Sequence, residues 1–374
     1  MRSKGISEKE LFSFLETTKR QDTPHRYILS SMCTLPHPVA VRAHTLFMET
    51  NLGDPGLFSG TASLERLLIS RLGTLFHNPD ACGYATTGGT ESNIQAIRIA
   101  RATAGIASPN VVIPESAHFS FKKACDLTGV ELRPVPLDAN YRADPDRFME
   151  AVDSRTCCMV GIAGTTEYGM VDPIRELAAC ASDEGIFFHV DAAFGGMVLP
   201  FLEGAPEFDF SLPGVSSLAV DPHKMGMSTI PAGCLLLRNE RDLCSLSVDT
   251  PYLTVKQEFT LSGTRTGGSV AGALAVLEYF GYEGMKAVVQ GCMKNTRRLT
   301  DGMESYGIRP VVRPDVNVAT FERPTLPIPA PWQVSFTRNN HLRIVCMPHV
   351  HAGIIEAFLE DIGEQYAEPA DNIA

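Results

Sequence analysis

The sequence predicts an α/β protein with a mostly parallel sheet in a large domain and a small α+β domain after it. Three observations carry this expectation: uninterrupted apolar runs at 110–113, 157–163, 186–190, 217–220 and 234–237, longer amphipathic stretches between them, and a change of texture near residue 280. Apolar runs this short and unalternating suit strands that helices cover on both faces. Their alternation with helical patterns is the sign of βα units.

Residues 1–50 read as an arm, with a helical pattern at 8–17 followed by breakers such as Leu35-Pro36-His37-Pro38. Residues 51–280 are expected to form the large domain. Within it, Asp172 should cap a helix that has Pro173 at its first position and runs on through 174–182, because both residue types suit the unpaired N–H groups of a helix start. Residues 281–374 should form the small domain, with a helix at 288–306, strands at 310–321 and 342–345, and a closing helix at 352–366. The stretch 324–331, with four prolines in eight residues, is a loop.

Composition narrows the class. The chain has 374 residues, 44% hydrophobic and 20% charged, which excludes disordered and fibrous proteins. Its 32 basic and 43 acidic residues leave a net charge of −11, which argues against a generic nucleic-acid or anionic-membrane binder. The ten cysteines are scattered without a CxxC pair, so neither a zinc site nor a disulfide framework is expected. The polar start at 1–10 does not resemble a signal peptide, and the longest apolar run, 270–277, is far shorter than the roughly 20 residues that span a bilayer. The expectation is a cytoplasmic protein.

Five segments carry chemistry. Only nine of the 32 basic residues are lysines, and Lys224 alone leaves a buried strand, in Val220-Asp221-Pro222-His223-Lys224-Met225-Gly226. Ligands of open α/β sheets bind outside the carboxyl ends of the strands. Taken singly, such a lysine is an ordinary loop residue. Asp191, in His189-Val190-Asp191-Ala192-Ala193-Phe194-Gly195-Gly196, ends another strand among small residues. A carboxylate there needs a cationic or hydrogen-bonding partner, since burial alone would neutralise it. In Thr87-Gly88-Gly89-Thr90-Glu91-Ser92, the glycines allow close backbone approach and Thr90 stands at a helix start, a place for phosphate or a plain turn. His118, in Ala117-His118-Phe119-Ser120, could stack on a planar ring, and Thr165 or Thr166, in Gly164-Thr165-Thr166-Glu167-Tyr168-Gly169, could reach a bound cofactor. Phosphate binder, ring stacker, carboxylate and lysine, each at a different strand end, are the parts that hold pyridoxal phosphate.

At these motifs the sequence resembles the group II pyridoxal-phosphate decarboxylases of fold type I, the aspartate-aminotransferase-like fold, over nearly the whole chain. The segments at 51–58, 162–169 and 342–349 look most like the short archaeal decarboxylases of L-tyrosine and L-aspartate, which make tyramine for methanofuran and β-alanine for coenzyme A. The resemblance implies that Lys224 bonds the cofactor, that Asp191 partners its ring nitrogen and that His118 stacks on the ring with a part in catalysis. It further implies that Gly89, Thr90 and His223 lie near the phosphate, and that Thr165 or Thr166 and Ala193 lie against the ring. Tyr252 matches a loop tyrosine thought to protonate the substrate α-carbon. Asn51 and Arg343 would bind substrate, although a structural ion pair is an equal reading of Arg343. Thr264, in Ser262-Gly263-Thr264-Arg265-Thr266-Gly267-Gly268, matches a segment that in relatives reaches the neighbouring subunit's phosphate, which implies a homodimer with shared active sites. Asp221 departs from animal aromatic decarboxylases, which have asparagine. The rival readings are a carbon–carbon lyase of the sphingosine-phosphate type, a glutamate decarboxylase, and a cofactor-binding scaffold without activity.

Overall fold

The computed structural model describes residues 1–367. Helices α1 (Glu8–Lys19), α2 (Pro38–Leu46) and α3 (Ser59–Leu75) come first. Strands and helices then alternate through β1 (Cys82–Thr86), α4 (Gly89–Ala104), β2 (Asn110–Pro114), α5 (Ser120–Thr128), β3 (Glu131–Val135), α6 (Pro145–Ala151), β4 (Thr156–Ile162), α7 (Ile174–Asp183), β5 (Phe187–Asp191), β6 (Ser217–Val220) and β7 (Gly233–Leu237). Beyond them lie α8 (Glu240–Cys244), a hairpin of β8 (Val248–Asp249) and β9 (Gln257–Glu258), and the long α9 (Gly267–Ser305). The chain continues with β10 (Val318–Phe321), β11 (Ser335–Phe336), β12 (Leu342–Val345) and α10 (Ala352–Ala367).

The seven-stranded sheet has the order β1-β7-β6-β5-β4-β2-β3. Strand β7 runs antiparallel to both of its neighbours, and the remaining pairings are parallel. The apolar runs are continuous because both faces are covered. On β2, Val111 and Ile113 pack with Ile97 of α4 and Phe121 of α5, while Val112 turns the other way into the cluster that holds Phe188 and Leu177. All seven residues of β4 are buried.

Two local expectations are corrected. Asp172 does not cap α7, which begins at Ile174. Its buried carboxylate accepts the backbone N–H of Ala143 at 2.8 Å and of Ile162 at 2.7 Å, tying the end of β4 to the loop before α6. Of the stretch 310–321 only Val318–Phe321 is a strand. Pro314 has no N–H to offer a ladder, and the chain there turns to meet Gly169, whose carbonyl takes the N–H of Asp315 and of Val316. The expected helix at 288–306 is the far part of α9, which Gly281 interrupts with φ 58°, a left-handed conformation.

The first fifty residues behave in two ways. Helix α1 closes a capping box between Ser7 and Glu10 yet buries none of its residues, and it exposes Phe12 and Phe14. Residues 27–37 instead run along the body as a strap. The N–H of Leu29 bonds Gln333 O and its carbonyl accepts from Val345, while Thr34 Oγ1 lies 2.9 Å from His349 Nδ1 and His37 N donates to Met227 O.

Candidate active site

Because β1, β2, β4, β5 and β6 share one direction, the segments leaving their carboxyl ends meet on one edge of the sheet. They enclose a cavity of about 350 Å³. From β1 come Gly88, Gly89 and Thr90; from β2, His118; from β4, Thr166; from β5, Asp191 and Ala193; from β6, Asp221, His223 and Lys224.

Each group is held by its neighbours. Gly88 adopts φ 141°, and the chain is so close there that a Cβ on Gly233 would stand 2.4 Å from its Cα. A Cβ on Gly89 would meet Ala193 Cβ at 3.0 Å and Asp221 Oδ2 at 3.2 Å, so the helix start is kept open by absent side chains. The first-turn N–H groups of α4 have no partner within the helix and favour an anion. Thr87 is fixed by Glu91, whose Oε2 accepts both its N–H, at 2.9 Å, and its hydroxyl, at 2.8 Å.

Lys224 Nζ lies 3.1 Å from Asp221 Oδ2. Burial opposes the charge on Lys224, but Asp221 and Asp191 together outweigh it and raise its pKa above the ordinary lysine value. His223 sets Nδ1 2.6 Å from Ala232 O and turns Nε2 toward Asp221 at 3.8 Å. Asp191 accepts N–H bonds from Asn93 at 2.8 Å and Ala193 at 3.1 Å. Burial lowers the pKa of His118 and so favours the uncharged ring, and Nδ1 accepts the N–H of Ser120 at 3.3 Å.

Other residues singled out from sequence lie elsewhere. Thr165 is fully buried, and its hydroxyl oxygen accepts the N–H of Met170, so of the two threonines only Thr166 lines the cavity. Thr264 and Asn51 line an adjoining cavity of about 420 Å³ that meets the first at Thr87. There Asn51 Oδ1 is occupied by the N–H groups of Gly53 and Arg265. Arg265 is no free cation, being paired with Glu65. Tyr252 sits in the β8–β9 hairpin, 87% exposed and outside the Lys224 cavity of its own chain. Arg343, on β12, stands behind Thr166: its Nε donates to Thr166 O and its Nη1 to Ser30 O and Ser335 Oγ. It makes no ion pair among the described residues, and its buried Nη2 has no partner.

Sequence reasoning assigned no role to Asn93 or Asp221, although both line the cavity. Their neighbours in the chain were the signal: Asn93 is one turn beyond Gly89, and Asp221 is one turn before Lys224.

A family model described as the pyridoxal-dependent decarboxylase conserved domain matches residues 60–318. The chain belongs to the pyridoxal-dependent decarboxylase family. To a probable L-tyrosine/L-aspartate decarboxylase of Methanoregula boonei this family member is 66% identical over 367 residues, 98% of this chain and 100% of the relative. Among solved structures, a sphingosine-1-phosphate lyase of Burkholderia pseudomallei aligns with TM-score 0.91 at 25% identity, covering 100% of this chain and 93% of that one. A glutamate decarboxylase of Lactobacillus brevis aligns with TM-score 0.88 at 22% identity, over 100% and 95% of the two chains, and speaks to the fold alone. The fold is fold type I, with the mostly parallel seven-stranded sheet described above.

The family's cofactor is pyridoxal phosphate, and the residues present fit it. The glycine cradle and helix start suit the phosphate, Asp191 leaves a carboxylate edge for a protonated ring nitrogen, and Lys224 carries the amine that would bond the aldehyde. The buried Oδ1 of Asp221 lacks any partner in the protein alone, which marks a polar place for a ligand atom.

Proposed function

We propose that this chain removes the α-carboxylate of L-tyrosine or L-aspartate as carbon dioxide, yielding tyramine or β-alanine. The observation that carries the reading is Lys224, ion-paired with Asp221 in one cavity with Asp191 and the glycine-lined helix start. The choice of amino acid is supported by the name of the relative that is 66% identical. When bound, pyridoxal phosphate supplies an electron-withdrawing ring that accepts the electron pair of the broken Cα–carboxylate bond. Asp191 would face the protonated ring nitrogen, and His118 would stack on the ring. Arg343, with Nη2 unpartnered, offers a cation to a substrate carboxylate. Tyr252 Oη delivers the proton to the α-carbon.

The exposed position of Tyr252 supports a homodimer whose hairpins reach across to the partner's site. Helix α1, with no residue buried against its own chain, offers a surface for the same assembly. Residues 51–280 serve as the cofactor-binding domain, 281–374 as the small domain and 1–50 as the arm. No helix among the described residues is long and apolar enough to cross a membrane, and ten free cysteines suit a reducing cytoplasm. The amines would feed methanofuran and coenzyme A synthesis.

The test is carbon dioxide release by the loaded enzyme from tyrosine, aspartate and glutamate side by side. Turnover of tyrosine or aspartate ahead of glutamate is expected. Release from glutamate alone, or aldehyde formation from a phosphorylated long-chain amino alcohol, overturns the reading.

A further inference from the structure

Behind Asp191 runs a buried chain of hydrogen bonds that the reaction described above does not use. Asn93 Nδ2 donates to Asp191 Oδ2 at 2.8 Å and to Ser120 Oγ at 2.9 Å. Both amide protons are thereby committed, and Oδ1 is left as an acceptor only. Its partner, His189 Nε2 at 2.9 Å, must therefore carry the hydrogen. Nδ1 of the same ring is then a lone pair, which accepts from Ser217 Oγ at 2.7 Å. Ser217, His189 and Ser120 are wholly buried and Asn93 nearly so. Burial pushes the His189 pKa down to about 4, so the ring stays neutral and keeps this tautomer.

We propose that His189 and Asn93 are positioning residues for the cofactor, fixing the Asn93 amide so that Asp191 always meets an N–H and stays aimed at the ring nitrogen. Turned over, the amide would set Oδ1 against a carboxylate oxygen in a low-dielectric interior, where two facing acceptors are costly. His189 forbids that turn, because its Nε2–H would then face an NH2 group. The orientation of the carboxylate on β5 is thus decided by a hydroxyl on β6, through a ring and an amide. The inference rests on Asp191 as the partner of the ring nitrogen.

Binding of two ligands to the apoprotein tests it: pyridoxal phosphate, and the analogue with CH in place of the ring nitrogen. The unaltered chain should prefer the natural cofactor by about tenfold or more, the size of one charge-assisted hydrogen bond. In His189→Leu and Asn93→Ala that preference should collapse through weaker binding of pyridoxal phosphate, with the analogue's affinity unchanged. In His189→Gln, whose amide N–H takes the place of Nε2–H, the preference should return. Circular dichroism of each apoprotein reports whether it is folded, and Asn93→Ala, the milder change, carries the test if His189→Leu does not fold. A folded His189→Leu or Asn93→Ala that keeps the full preference overturns the relay. Absence of any preference in the unaltered chain overturns the role of Asp191, and the relay with it.

Discussion

Asp221 Oδ2 lies 3.1 Å from Lys224 Nζ, one helical turn apart in sequence, with the carboxylate only 2% exposed. An amine must shed its proton before it can attack an aldehyde, and this carboxylate holds the proton on. Burial alone would lower the lysine's pKa; Asp221 and Asp191 reverse that and raise it. Asp221→Asn removes one of the two, so the pH profile for cofactor uptake should move toward lower pH. The same pair makes a stability statement. A lysine whose folded pKa exceeds its unfolded value stabilises the fold below the unfolded value and loses that contribution as pH rises through the folded one. Denaturant melts of the apoprotein should therefore weaken in the alkaline range, and less so in Asp221→Asn.

Lys224→Ala should abolish covalent attachment of the cofactor. The visible absorption of the loaded enzyme and its carbon dioxide release should both vanish. A full-strength absorption band in this variant would sink the assignment.

Tyr252→Phe separates chemistry from folding. The side chain is 87% exposed, so its loss should change stability by no more than about 0.5 kcal/mol. Loss of a positioned proton donor typically costs about a hundredfold or more in rate. An unchanged turnover number removes Tyr252 from the reaction.

Arg343→Lys should raise KM for the amino acid by about tenfold while cofactor affinity holds, because a lysine cannot keep the three donated bonds and still present a free N–H. Burial pushes this guanidinium down to about 10, with Glu167 opposing; Glu167 itself is committed to Arg338 at 3.0 Å. Equal KM values would assign Arg343 to holding Thr166 and Ser30 alone.

Asp172→Asn is expected to destabilise the protein without touching the site. Both carboxylate oxygens accept backbone N–H groups, so an amide must point one of its own N–H groups at a donor. The cost of one unsatisfied buried donor is about 1–3 kcal/mol, read as a lowered urea midpoint with unchanged slope.

The strands and the site were legible where chemistry is local. Asp191 ends β5 and Lys224 follows the end of β6, and five such strand ends on one sheet edge must meet. What stayed hidden depends on partners far off in the chain. Asp172 follows the composition of a helix cap, but the N–H groups that claim it belong to Ala143 and Ile162, which only the fold brings near. Arg265 pairs with Glu65, 200 residues earlier, another partner that only the fold brings near. The Asn93–His189 bond spans 96 residues, and neither residue type announces it. Of the segment 310–321 only Val318–Phe321 forms a strand, since Pro314 has no N–H to give a ladder.

The strap at 27–37 sets an order in time. Cys33, on that strap, feels both charges of the site: burial raises its thiol pKa, Lys224 pulls it down and Asp221 pushes it up. Yet the strap is pinned by Gln333, Val345 and His349. A stretch near residue 30 therefore waits for one 315 positions further along the chain, and Cys33 cannot settle near the charges of the site until that later stretch has been made.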